Sequence, residues 1–327
     1  MSTDPIIRAI DVGYGGTKFI LDDAGHCQLF PSLAPRAVMQ RDYSGVYRRR
    51  RTREIHVGGE IFEIGPDTAL FDDIPILHTD YIEAPEYRAL VYGALEAMHV
   101  ERVDLLVTGL PVHLHETRWQ RLQTLLTGTH IIRPGVQVQV DKVAVVVQPL
   151  GGFVAHNHLN GRWVSGLERT TLVIDPGFFT CDWIVTRGMQ EVPGLSGSVE
   201  CGVSAYLRSV QIQLQHKLGA HYTNFHRLDE GLRQSCLRLK GRVVDLEPYR
   251  NEADAVIDGA VRAVRNSVGE AQQIDEIVVV GGGGPLFLPR LTAAFPDHPM
   301  RSVNDPVFAN VVGFQLLGKA LLKRRAA

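Results

Sequence analysis

A chain of 327 residues, 45% hydrophobic and 21% charged, is ordinary in composition for a globular protein and long enough for two domains, each with its own core. Its formal net charge of -2 gives no global electrostatic reason to bind nucleic acid or a membrane, so any basic surface must be local. Cys27, Cys181, Cys201 and Cys236 never fall in a C-x-x-C pair, which argues against a zinc site or a disulfide framework and fits a reducing cytoplasm.

The first residues, "MSTDPIIRAIDVG", lack the basic and apolar segments of a secretory leader, and no apolar run is long enough to span a bilayer. A cytoplasmic protein is expected. Residues 6 to 22 predict a β-hairpin, because β-branched and apolar residues flank a glycine-rich turn. From Gln28 to about Thr79 the pattern is irregular, with Pro31, Pro35, the basic run "YRRRRTRE" and a strand–turn–strand candidate "EIHVGGEIFEIG". A small insertion over about 28–80 is expected there, outside the core.

Residues 86 to 99 have helical spacing, with Leu90, Ala94, Leu95 and Met98 on one face. "VDLLVTGLPV" reads as a buried strand, followed by a helix from about Leu114 to Thr127. "VQVQVDKVAVVVQP" gives alternation and then a buried run, and "LGGFVAHNHL" a short helix. A second hairpin, "TLVIDPGFFTCDWIV", runs from Thr171 to Val185. Helices are predicted over about 203–218, 226–240 and 252–270. "IDEIVVVGGGGPLFLPRLTAAF" reads as strand, glycine turn and helix, and "DPVFANVVGFQLLGKALLKRR" as a last helix whose basic end suits its dipole.

The two hairpins carry the same chemistry. In a turn such as Asp-x-Gly-x-x-Thr, or the first hairpin's one-residue-longer Asp-x-Gly-x-x-x-Thr, the carboxylate at a strand end can hold a hydrated Mg2+, and the glycines let successive N–H groups form an anion nest. The Thr hydroxyl supplies one further donor. Asp11, Gly13, Gly15 and Thr17 make the first turn, with Lys18 adding a positive charge, and Asp175, Gly177, Thr180 and Asp182 make the second. One such hairpin alone is usually only a good turn. Two, one opening each half, together with Gly281–Gly284 after a strand, point to a phosphate clamp.

In this order the set resembles the actin, Hsp70 and sugar-kinase superfamily, and within it the plasmid-segregation actins of the ParM/StbA type. The likeness rests on "DVGYGGTK", "VTGLPV", "VVQPLGGFVA", "DPGFFTCD", "VVVGGGGPL" and "PVFANVVGF", nearly end to end. "VIDPGFFTCDW" is similar to protein D of the plasmid-borne PRTRC system. The second turn departs from the commoner pattern: Phe178 stands where a second glycine is usual, and Pro176 removes one N–H.

The resemblance implies an α/β, actin-like (ribonuclease H-like) fold of two domains, each a mixed sheet flanked by helices, with nucleotide between them. Domain I would cover 1–150, completed by a carboxy-terminal helix over 305–327, and domain II 151–304. It implies ATP or GTP with Mg2+ held largely through water by Asp11 and Asp175. Gly13, Tyr14, Gly15, Gly16, Thr17 and Lys18 would bind the phosphates, opposite Gly177, Phe178 and Thr180. Gln148 would orient the attacking water, although by itself it reads as a polar strand-end cap. Glu200 and Gly202 would begin the helix beside ribose and base, and Gly282 and Gly283 would approach adenosine. Asn310 is read as structural, tying the last helix to the first domain.

The implied activity is slow ATP hydrolysis coupled to nucleotide-dependent filament assembly in plasmid maintenance, with a plasmid-encoded DNA-binding adaptor as a further partner. Direct nucleic-acid binding and membrane binding are not expected. Two alternatives stand beside it: a small-molecule kinase of the same superfamily, and a nucleotide-switched adaptor that never polymerises. A kinase needs a general base, and the helix after "QPLGGFVAHN" offers only His156 and His158. The Arg48–Arg53 cluster reads as a solvated face, a filament contact or a contact for DNA or an acidic partner.

Overall fold

A computed structural model describes residues 4–38, 48–71, 80–161, 169–219 and 222–326. The chain divides into two compact units. Met1–Leu110, Leu114–Val147 and Val311–Ala327 form the first, and Pro111–His113 with Gln148–Asn310 the second. No helix among the described residues is long and apolar enough to cross a membrane. Cys27, Cys181, Cys201 and Cys236 are free thiols.

The first unit is built on β1 (Ile7–Val12), β2 (Gly16–Ile20) and β3 (Cys27–Pro31), followed by the hairpin β4 (Arg53–Val57) and β5 (Glu60–Ile64). Then come α1 (Pro85–Ala97), β6 (Arg102–Val103), β7 (Leu105–Leu110), α2 (Val112–Leu126), β8 (Gly128–Arg133), β9 (Val136–Val140) and β10 (Val143–Val147). The main sheet runs β10-β7-β1-β2-β3, with β1 antiparallel to β2 and parallel to β7.

Two sequence expectations change here. Cys27–Pro31 is not the start of an insertion but the third strand of this sheet, paired with β2 from Gly16↔Pro31 to Ile20↔Cys27. The β4–β5 hairpin is also packed inward: Ile55, Phe62 and Ile64 are buried, and Gly93 of α1 leaves room for Ile64, whose Cγ2 lies 2.5 Å from where a Cβ would stand. The "VAVVV" run is half-buried because β10 is the sheet edge. Its outward carbonyls are covered by α2, through Gln123 Nε2 to Val143 at 2.7 Å and His115 Nε2 at 3.1 Å from Val145.

The second unit opens with α3 (Gln148–Leu159), β11 (Thr170–Pro176), β12 (Cys181–Arg187), β13 (Gln190–Glu191) and β14 (Gly197–Val199). It continues with α4 (Val203–Leu218), α5 (Phe225–Arg233), β15 (Cys236–Leu239), β16 (Arg242–Asp245), α6 (Arg250–Val268), β17 (Glu276–Val279), α7 (Gly284–Ala294) and β18 (Met300–Ser302). The last helix, α8 (Ala309–Ala326), starts in this unit and continues in the first. The sheet order β13-β12-β11-β17-β18 repeats the first unit's plan, with β11 antiparallel to β12 and parallel to β17. Apolar faces of α4, α6 and α7, including Val210, Ile257, Val264 and Phe287, fill the core beside it.

The helix expected over 226–240 stops at Arg233. Ser235 has φ 56°, which ends helical continuation, and Lys240 and Gly241 at φ 46° and 79° make the doubly left-handed turn that joins β15 to β16. Asn224 caps the start of α5, its side chain accepting from the Arg227 N–H at 2.9 Å.

Candidate functional site

The first hairpin pairs Asp11 with Lys18 and Val12 with Thr17, which sets the carboxylate and the ammonium directly across from each other. Lys18 Nζ lies 3.1 Å from Asp11 Oδ2, and Asp11 is buried. Gly13 makes this possible, since a Cβ there would stand 2.7 Å from Lys18 Nζ. The turn closes through the Gly13 N–H to the Gly16 carbonyl at 3.2 Å.

Ser32, just past β3, then draws the turn's carbonyls toward itself. Its hydroxyl donates to Gly13 O at 2.5 Å and its N–H to Gly15 O at 3.4 Å. Thr17 Oγ1 bonds Ser32 Oγ at 2.9 Å, with Thr17 0% exposed. The Thr17 hydroxyl therefore holds the turn together, while Gly15 and Gly16 carry its exposed backbone. Tyr14 turns its ring inward and stacks on Tyr81 at 5.0 Å; Tyr81 meets Tyr87 edge-on at 5.4 Å. Burial pushes the Tyr81 and Tyr87 phenols well up, so both stay neutral.

The second hairpin repeats the arrangement with different parts. Asp175 opposes Asp182, and the Gly177 N–H closes the turn on Thr180 O at 2.8 Å. Thr180 Oγ1 donates to Asp182 Oδ2 at 2.5 Å, and both residues are buried. The Val112 N–H adds a second donor to Asp182 at 2.8 Å. Burial raises the Asp182 carboxyl above its ordinary range, against the opposing pull of those hydrogen bonds.

The turn's carbonyls are tied down by the start of α4. The N–H groups of Gly202, Val203 and Ser204 donate to Phe179, Gly177 and Phe178 at 3.0, 3.1 and 2.7 Å. Those first-turn groups, which a helix leaves unpaired, are thus spent on the loop. Phe178 packs its ring against the unit's apolar core, so its place in the loop leaves only backbone for a ligand.

Asp175 is buried, and its carboxylate is fixed from two directions. Asn310 Nδ2 donates to Oδ2 at 2.6 Å, while the Asn310 side-chain oxygen accepts the Gly152 N–H at 3.1 Å. Gly281, at φ 74°, leaves space for the other oxygen, since a Cβ there would fall 2.0 Å from Asp175 Oδ1. The Asn310 amide therefore ties α8 to the second unit, not to the first as its sequence context suggested. The reason is its position: it precedes Val311, where the chain returns to the first unit.

Gly283 donates to Pro176 O at 2.8 Å and, with Gly282, lines a cavity of about 230 Å3 in the second unit. Tyr206, Asp229, Arg233 and Arg250 also line it, and Arg233 Nε pairs with Asp229 at 3.0 Å. Of the residues assigned to ribose and base from sequence, Gly282 and Gly283 line this cavity; Glu200 is exposed ahead of α4, and Gly202 lies under the loop. Asp229 and Arg233, one helical turn apart, read in sequence as an ordinary solvated pair. Gln148 is the first residue of α3 and is 9% exposed, a helix start rather than a strand end.

Two arginines of the basic run are tied to carboxylates of the first unit. Arg50 makes two hydrogen bonds to Glu63, at 3.1 and 2.6 Å, and Arg51 Nη2 bonds Asp67 at 2.9 Å. Burial favours a raised Glu63 pKa, but bonds from Arg50, Thr52 and the Val38 N–H outweigh it and hold the carboxyl low. Arg51 does the same to Asp67 by hydrogen bonding. Arg48, Arg49 and Arg53 are exposed.

Among the described residues no three His, Cys, Asp or Glu side chains cluster as a metal cage. A single carboxylate at a strand end, with phosphate and water completing the shell, suits the habit of Mg2+, and each unit offers one. Asp11 and Asp175, each buried at a strand end, fit that role.

The family model described as the N-terminal domain of actin-like proteins matches residues 9–151, and that of the archaeal actin homologue MreB-like C-terminal domain matches 173–293. Among solved structures, a non-polymerisable quadruple mutant of pCBH ParM is 20% identical with a TM-score of 0.80, covering 97% of this chain and 100% of that one. A 15-stranded ParM filament from Clostridium botulinum is 19% identical, TM-score 0.81, covering 97% and 100%. An archaeal actin homologue in complex with ADP is 18% identical, TM-score 0.77, covering 96% and 99%. At such identities the likeness is one of fold: two actin-like α/β domains with mixed sheets. No curated protein matches the chain in sequence.

Proposed function

We propose that this chain, which belongs to the actin-like proteins, binds a Mg2+–nucleoside triphosphate, hydrolyses it slowly and assembles with its own copies in a nucleotide-dependent way. The observation that carries the reading is the repeated hairpin. Each unit ends the first strand of its hairpin on a buried carboxylate, turns its Thr hydroxyl inward and ties down its turn carbonyls, leaving backbone for phosphate.

In this reading Lys18 leaves Asp11 for the phosphates, Gly15 and Gly16 donate from the first turn, and Gly177, Phe178 and Thr180 act through their backbone. The cavity beside Gly282 and Gly283 takes the nucleoside. Bound Mg2+ would neutralise charge on the phosphates, with Asp11 and Asp175 as its protein anchors. Gln148 orients the attacking water, and Gln148→Ala should abolish hydrolysis while leaving binding in place.

The filament and plasmid-maintenance role is supported by the ParM-like fold, and the "DPGFFTCDW" turn favours the PRTRC branch. Sedimentation and negative-stain microscopy with ATP, ADP and a non-hydrolysable analogue test assembly. Pelleting that ignores nucleotide, or none over a broad concentration range, would remove the filament claim. Calorimetry with Mg2+-ATP and Mg2+-GTP tests binding separately and sets the base preference.

A further inference from the structure

Asn310 is the last residue of the second unit, and its side chain is used at both ends. Its amide nitrogen donates to Asp175 Oδ2 at 2.6 Å, and its oxygen accepts the Gly152 N–H at 3.1 Å. Gly152 lies in α3, which begins where the chain enters the second unit after Val147; Asn310 lies in α8, where the chain leaves it. One buried amide therefore connects the carboxylate of the second hairpin to both crossing helices.

The fit around it admits little freedom. Asn310 is 5% exposed and Asp175 6%. A Cβ on Gly152 would stand 3.2 Å from Asn310 Oδ1 and 2.8 Å from Val280, and one on Gly281 would collide with the other Asp175 oxygen. Helix α3 and the β17–α7 turn thus both require glycine for the Asn310–Asp175 pair to form. An amide is also the group suited to the place: it donates to a carboxylate without cancelling its charge, as Arg or Lys would.

We propose that Asn310 is a positioning residue for Asp175: it holds the carboxylate in the orientation that anchors the Mg2+ of a bound nucleotide, and it links metal binding to α3 and α8. The inference rests on the nucleotide-binding reading above. Asn310 is buried with both ends of its amide occupied by Asp175 and Gly152, so its loss should be felt through Asp175 and the metal.

The test is the Mg2+ dependence of ADP binding by the full chain, measured by calorimetry with Mg2+ and with EDTA. Asn310→Leu, close in volume and without a donor, should weaken Mg2+-ADP at least tenfold while metal-free ADP stays within twofold of the unmutated chain. A purely structural role would weaken both equally, and that result overturns the proposal, as does an unchanged Mg2+ dependence. If the variant fails to fold, the unmutated chain labelled with 15N-asparagine decides. The Asn310 side-chain amide, assigned by through-bond correlation, should shift when Mg2+ is added to the ADP complex, and an unmoved signal refutes the link. Failure of the unmutated chain to bind ADP under any condition defeats the nucleotide reading instead.

Discussion

Replacing Gly202 by Ala tests whether α4 seats the second loop. Gly202 has φ -87° and ψ -166°, values any residue adopts, so the substitution carries no left-handed backbone penalty and isolates the steric term. A Cβ at this position would lie 2.6 Å from Phe178 O and 2.7 Å from both Gly177 O and the Phe178 carbonyl carbon. These are backbone atoms and cannot rotate away, so α4 and the loop must separate. Two or three of the bonds from the Gly202, Val203 and Ser204 N–H groups would lengthen or break, at about 1 kcal/mol each. Ala is also the poorer N-cap. The expected loss is about 2–4 kcal/mol in urea unfolding, with ADP affinity falling at least tenfold as the loop backbone moves. Gly259→Ala in α6 is the internal control: its new Cβ would meet only Arg262 Nη2, at 3.9 Å, and should stabilise by about 0.5–1 kcal/mol. A Gly202→Ala protein within about 0.5 kcal/mol of the original, with unchanged ADP affinity, would refute the bracing argument.

The two inward-facing threonines should differ. Thr180→Val removes a donor from the buried Asp182 and should cost about 1.5–3 kcal/mol, whereas Thr17→Val leaves Ser32 still bonded to Gly13 and should cost about 0.5–1.5, both read by urea unfolding. Acid should act oppositely on the two units. Glu63, Asp67 and Glu83 are held below their ordinary values of 4.5, 3.8 and 4.5, so the first unit loses their stabilisation as pH falls through the folded values. Asp182 is raised above 3.8, so the folded second unit binds that proton more tightly and gains as pH falls from that raised value to 3.8, before the first unit's losses are complete. Hydrogen exchange at descending pH should show β4, β5 and the Tyr81–Glu83 turn opening before β11 and β12. Arg50→Ala leaves the Glu63 carboxylate, 5% exposed, without its cation and with only Thr52 and the Val38 N–H as donors, and should cost about 2–4 kcal/mol in thermal unfolding, while Arg48→Ala should stay within about 0.5. Lys18→Met should weaken triphosphate binding at least tenfold in calorimetry and leave adenosine binding unchanged.

The parts legible in the sequence are those written locally. Both hairpins, α1, α4, α6 and the last helix follow from apolar spacing and glycine turns within windows of about 20 residues. The family likeness rested on the same short segments. Side-chain direction was not legible, because it is set by partners far along the chain. The Thr17 hydroxyl is met by Ser32, fifteen residues later, and Asp175 is oriented by Asn310 at a separation of 135 residues. The region after Gln28 looked irregular because two prolines and a basic run hide a strand whose pairing with β2 no local pattern reports. Residues 236–245 kept a helix-like density of Leu and Arg, and the positive φ of Ser235, Lys240 and Gly241 decided otherwise.

The unequal treatment of the two carboxylates follows from what lies opposite each. Asp11 is paired to a cation, so its charge is compensated until something more negative draws Lys18 away. Asp175 accepts from a neutral amide, which orients the carboxylate without itself supplying an opposing charge. Both carboxylates are buried, and a buried uncompensated charge is costly. An arginine or lysine in place of Asn310 would put a full positive charge beside Asp175 and compete with any cation for the carboxylate. The two hairpins thus differ in kind: the first sets an ammonium beside its carboxylate, and the second sets a neutral amide donor there.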